Sequence, residues 1–158
     1  MITKAGREFF SKTLIAGDIY FNNLKNTQGV ETQSSGVTAR TWFESNYAIT
    51  KNAYDSGGLG LAMAVGSGDT EFTENSYWLS NAETGVVCNS CSVTANGQAM
   101  IVTAVFTNTS NSAKDIKEIG LMFAHYGLMN FLIAGKNIPT RTIQPNETVT
   151  FSYVVEFN

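Results

Sequence analysis

The sequence predicts an all-β fold, an antiparallel β-sandwich with a short N-terminal helix, and three observations carry that expectation. Apolar and polar residues alternate over several stretches of the C-terminal half. Clusters of Asn, Ser and Gly separate those stretches at short intervals. Charged residues make up only 15% of the 158 positions, while Thr, Ser and Asn are plentiful, a balance that suits strands and turns. A chain of this length forms one domain and buries roughly 70% of its unfolded surface, so a core needs no staples. Strand order is not written in one sequence, so jelly-roll-like and immunoglobulin-like topologies both stay open.

The elements follow in order. Residues 1–17 read as a helix with Thr3 as N-cap, Gly17 as its stop, and Phe9, Phe10 and Leu14 on one side. Gly6 within it costs about 1 kcal/mol relative to Ala, so the helix needs something to pack on. That partner is either the protein's own sandwich or a neighbour, and in the second case Phe9, Phe10 and Leu14 form a docking stripe. Residues 18–158 form the sandwich domain, beginning with a strand near 18–21 and a polar, loop-like stretch over 22–36. The region 37–54 carries Trp42, Phe43, Tyr47 and Tyr54, and 22–54 as a whole reads as a variable insertion. Leu59 to Val65 is small and apolar on both faces, as expected of a strand covered on both sides. Gly66-Ser67-Gly68 then turns the chain, with the glycines expected at positive φ. The connection 69–81 is held by Phe72 and by the triplet Tyr77-Trp78-Leu79, which pins it to the core.

Further on, Met100, Val102, Ala104 and Phe106 alternate with Ile101, Thr103, Val105 and Thr107, giving a strand. Ile116 to Ala124 and Met129 to Ala134 form a hairpin around His125-Tyr126-Gly127. Val149, Phe151, Tyr153, Val155 and Phe157 line the inner side of a last strand, with Val154 the apolar exception outside.

The candidate chemical motifs favour structural readings. Gly66-x-Gly68 lacks the third Gly and the helix of a dinucleotide fingerprint, and Asp69 and Glu71 would repel phosphate. Cys88 and Cys91 have half a zinc-knuckle spacing, but His125 is the only further soft ligand, so structural thiols are expected and no metal. No nucleophile elbow accompanies His125, and neither Glu118 nor Glu147 has a partner acid at a recognisable spacing. The reading is therefore non-enzymatic, with no catalytic residue and no cofactor. A formal charge of -3 without a basic patch excludes nucleic acid as an expected partner. Residues 1–17 are interrupted by charges and no apolar run is long enough to span a bilayer, so neither export nor membrane insertion is expected.

A set of short motifs resembles the N-terminal attachment domain of tail-collar fibre proteins, structural components of tailed-bacteriophage virions. Thr3-Lys4-Ala5-Gly6 matches a Thr-x-x-Gly helix start, and Val65-Gly66-Ser67-Gly68 a central run ending in Gly-x-Gly. Ile116-Lys117-Glu118-Ile119-Gly120-Leu121 matches an Ile-x-Glu-Ile-Gly-Leu strand, followed by Leu132-Ile133-Ala134 and Pro139. The matched residues are scattered from 3 to 157 and are mostly structural, with Gly66, Gly68, Glu118, Gly120 and Pro139 at their centre. The pattern is also familiar from head-fibre and other accessory virion proteins.

The resemblance implies a virion protein, made in the cytoplasm of the host bacterium, that anchors another component in the tail or baseplate. With Asn158 as the last residue, no fibre shaft or receptor-binding tip is expected. Other virion proteins are the expected partners, and a homo-oligomer is expected because edge strands with few charges pair readily. A head-fibre or capsid decoration role is the alternative within the class. The alternative outside it is a carbohydrate-binding sandwich for host attachment, with Trp42, Phe43, Tyr47, Trp78 and Tyr126 as candidate stacking aromatics.

Overall fold

The computed structural model describes residues 1–4, 6–7, 18–19, 24–32, 37–38, 60–96, 99–125 and 129–156. Ten strands lie among them: β1 (Asp18–Ile19), β2 (Leu24–Lys25), β3 (Glu31–Thr32), β4 (Val37–Thr38), β5 (Gly60–Gly66), β6 (Val86–Asn96), β7 (Ala99–Asn108), β8 (Lys114–His125), β9 (Met129–Ile143) and β10 (Thr148–Glu156). The fold is all-β and every strand pair is antiparallel. One three-stranded sheet has the order β10-β7-β6 and the other β5-β8-β9, with β1-β4 and β2-β3 as small two-stranded pairs.

Alternation decides which side chains reach the core. Along β7, Val102, Ala104, Phe106 and Asn108 are buried while their neighbours are half-buried. Along β10, Val149, Tyr153 and Val155 are buried and Val154 is exposed. Val102, Ala104, Phe106, Val149, Tyr153 and Val155 join Met63 and Val65 of β5, Ile116, Ile119 and Leu121 of β8, and Phe131 and Ile133 of β9 in a single cluster. Phe106 and Phe151 meet edge to face within it, ring centroids 6.0 Å apart. Ala62, Phe72, Leu79, Met122 and Leu132 make a second cluster, where the connection after β5 lies against that sheet. β5 is thus covered on both faces, which is why it reads as a continuous apolar run.

Several expectations need correction. The strand expected to end at Ala134 continues to Ile143, straight through Pro139. Ile116 pairs with Arg141 but Glu118 with Asn137, so β9 carries extra residues at 138–140. Pro139 sits in that bulge, where a missing N–H costs no ladder bond. The stretch expected as polar loop over 22–36 contains the β2-β3 hairpin. Its turn is built by buried Asn26, whose Oδ1 accepts the N–H groups of Gln28 (3.0 Å) and Val30 (2.9 Å), with Gly29 at φ 78°. Neither Gly66 nor Gly68 adopts positive φ, so their role is a different one.

The N-terminal residues belong to the sheet before they turn. Ile2 bridges Ala134, the Thr3 N–H donates to the Ile133 carbonyl at 3.1 Å, and the Gly135 N–H donates to the Met1 carbonyl at 2.9 Å. Thr3, almost fully buried, donates its hydroxyl to the Leu132 carbonyl and accepts the Gly6 N–H at 3.0 Å. The Arg7 N–H donates to the Thr3 carbonyl at 2.9 Å, closing one turn of chain. A side chain at position 6 would run into the Ile133 carbonyl, so Gly6 is required by close approach to β9. Residues 8–17, with Phe9, Phe10 and Leu14, lie outside the described residues.

Candidate functional site

The most organised polar feature is Glu118, on β8 and completely buried. Alternation along β8 turns it to the side opposite Ile119, toward the connection between β5 and β6. Its Oε1 accepts the N–H groups of Gly68 (3.1 Å) and Asn81 (2.8 Å). Its Oε2 accepts both the N–H and the hydroxyl of Ser80, each at 3.1 Å. One carboxylate therefore gathers both ends of the segment 68–81 and supplies acceptors to backbone groups that no ladder reaches. Asn81 returns its carbonyl to the Ser67 N–H (2.9 Å), and Glu83 donates its N–H to the Val65 carbonyl (3.0 Å). The outer edge of β5 is thereby paired by the chain itself over residues 65–67.

The glycines around this latch are seats. A Cβ at Gly66 would strike the Glu118 carboxylate and stand 2.6 Å from the Asn81 carbonyl. A Cβ at Gly68 would strike the Ser80 hydroxyl. At Gly120 it would sit 2.8 Å from both Leu79 and Leu132, and at Gly135 it would enter the Phe72 ring. Phe72 and Leu79, two apolar anchors of the connection, thus rest on bare backbone of β9 and β8. The motif glycines mark where this segment touches the sheet.

Two cavities flank the segment. One of about 340 Å³ is lined by β5 and β6 residues including Met63, Cys88 and Cys91, together with Met122 and Trp78. The register shift between Cys88 and Ser90 puts both thiols on the core side, opposite Phe106 and Ala104, although an i, i+3 pair on a regular strand would face opposite ways. Burial, reinforced by neighbouring Cys88, pushes the Cys91 thiol up to about 11. The Cys88 thiol donates to the Ser90 carbonyl at 3.4 Å. The other is an open groove of about 550 Å³ between the β2-β3 turn (Thr27, Gln28) and residues 70–80. Ser, Thr, Gln28 and Asn75 side chains share its wall with Leu79 and the aromatics Tyr77 and Trp78.

Of the residues singled out in the sequence, Gly66, Gly68, Glu118 and Gly120 come together around the latch. Pro139 stands in the β9 bulge. Trp42, Phe43, Tyr47 and Tyr126 lie outside the described residues. Trp78 is half-buried against the second cluster, so it is a wall more than a platform. The sequence reading missed Ser80 and Asn81 as the donors for Glu118, and missed Asn108. Asn108 is fully buried, and its Nδ2 donates to the Ser112 (2.8 Å) and Ile143 (2.9 Å) carbonyls. Its Oδ1 accepts the Ser110 N–H (3.0 Å) and hydroxyl (2.6 Å). The only available signal was a polar residue at an inward position of an alternating strand. Among the described residues no group of three or more His, Cys, Asp or Glu side chains could hold a metal ion, and no helix is long and apolar enough to cross a membrane. No family model, curated protein or solved structure matches the chain.

Proposed function

We propose that the chain is a non-enzymatic structural component of a tailed-phage virion, a β-sandwich adaptor or anchor of the tail or baseplate. The observation that carries this reading is the shared work of the residues that resemble the collar pattern. Thr3 and Gly6 fasten the N-terminal segment to β9, while Gly66, Gly68, Glu118 and Gly120 fasten the connection 67–81 to β8. Every one of them fixes a joint of the scaffold, and none is presented to a substrate.

A second feature supports assembly. The outer face of the sheet β10-β7-β6 is nearly uncharged, with hydroxyls paired across strands at Thr107–Thr148 (2.8 Å) and Thr103–Ser152 (3.3 Å). Val87 on β6 and Val154 on β10, the two outer strands, are 37% and 46% exposed. The chain pairs the β5 edge at 65–67 and the β9 edge at 133–135, and β6 and β10 offer further outer edges to an oligomer or a neighbouring virion protein. Position in the head, as a fibre or decoration protein, is the neighbouring reading in the same class.

Introducing a charge at Val154 tests the role. Val154→Lys should melt like the parent, being an exposed change on an outer strand, yet enter assembled particles poorly. Incorporation at the parental level would remove Val154 from any contact and count against this face as the docking surface.

A further inference from the structure

We propose that the open groove between the β2-β3 turn and residues 70–80 is a binding site for an uncharged oligosaccharide. The inference stands apart from the virion reading, because it uses a different surface and would hold for a free protein.

The chemistry of the groove selects the ligand. A sugar offers apolar C–H faces and a rim of hydroxyls that both donate and accept, so it needs an aromatic wall beside short polar side chains of mixed character. Tyr77 supplies the wall and is 41% exposed. Its ring is held in place on the protein side: Gly29 approaches it so closely that an added Cβ would lie 3.3 Å away, and the Lys25 amine sits 5.5 Å from the ring centroid. Trp78, half-buried, backs the groove floor.

The Thr73, Ser76 and Ser80 hydroxyls are engaged within the protein, and other groups complete the polar rim. The side-chain amides of Gln28 and Asn75 and the carboxylate of Glu71 have no hydrogen-bond partner among the described residues, and all three line the groove. Amides offer a donor and an acceptor together, the match for a hydroxyl pair, and Glu71 accepts two more. The volume, about 550 Å³, suits two or three sugar units. The loop that carries the rim is not loose. Its ends are held by Glu118, Phe72 packs on Gly135, and the Thr73 and Ser76 backbones bond to each other at 3.1 Å. A rim fixed before the ligand arrives loses little entropy on binding.

The test uses the full chain on an array of bacterial surface polysaccharides, followed by amide-resolved NMR titration with the best-binding oligosaccharide. The expected result is saturable binding with shifts confined to residues 27–28 and 70–80. Tyr77→Ala should weaken it at least tenfold and Asn75→Ala several-fold, with parental melting temperatures in both. Array silence overturns the proposal. So does binding that maps elsewhere, binding unchanged in Tyr77→Ala, or saturable binding at these residues by unstructured peptides only.

Discussion

At the scale of single residues, four buried polar side chains each organise one irregular segment. Thr3 sets the N-terminal turn, Asn26 the β2-β3 turn, Asn108 the turn at 109–112, and Glu118 the long connection. Glu118 is the most demanding, because removing this fully buried side chain leaves four donors without their acceptor. An unsatisfied buried group costs about 1–3 kcal/mol, so Glu118→Ala should lower the melting temperature sharply. Glu118→Gln keeps one acceptor oxygen and should fall between Ala and the parent in a thermal melt. Parental melting of both variants would mean that the carboxylate is merely accommodated.

Cys91 makes a pH-dependent contribution. Its thiol, ordinarily at 9.0, is raised to about 11 in the fold, largely by burial. Below pH 9 the thiol is neutral whether the chain is folded or not, and its contribution is fully present. Above that the unfolded chain ionises first, and the contribution is lost as pH climbs toward 11. Urea midpoints should therefore fall over this range, and less steeply in Cys91→Ser. Tyr153, raised from 10.0 to about 12 by burial, adds a later decline that the variant keeps. Identical alkaline slopes in parent and variant would show that Cys91 ionises freely.

At the scale of elements, the glycine seats explain how a long connection can be part of a rigid sheet. Gly135→Ala would push a methyl into the Phe72 ring, and overpacking of this kind costs about 1–3 kcal/mol. Phe72→Leu alone should also destabilise, by loss of contact. The double variant should be milder than the sum, because the smaller side chain leaves room for the methyl. Additive losses in denaturant unfolding would mean that the two positions do not share a seat.

The strands that alternate cleanly, β7 and β10, were legible in the sequence because one face of each meets the core. β6 was only partly legible: its Cys88-Asn89-Ser90-Cys91 centre is polar, and a bulge there breaks the period of two. β9 was cut short because Ile138-Pro139 looks like an end, whereas a bulge absorbs the proline. Gly66 and Gly68 were placed at a turn correctly but for the wrong reason. Close approach and positive φ both demand glycine, and sequence does not distinguish them. The Glu118 latch depends on Ser80 and Asn81, nearly forty positions away, and no local pattern announces such a pairing. The groove was hidden likewise, since its two walls come from 27–28 and 70–80.

At the scale of the whole molecule, the chain invests its buried polar groups in fixing joints and its second sheet in a nearly uncharged outer face. Residues 81–83 pair one end of the β5 edge, and residues 1–3 pair a short part of the β9 edge. Thr3, Gly6, Gly66, Gly68, Glu118 and Gly120 each fix a joint of the scaffold.

The central claim, that this is a virion component, is tested most directly by quantitative mass spectrometry of density-gradient-purified particles produced from the genome that encodes the chain. The account predicts the protein in the particle fraction at a fixed ratio to the major capsid protein, retained through repeated gradients. Its confinement to the soluble lysate, with particles that assemble fully without it, would contradict the account.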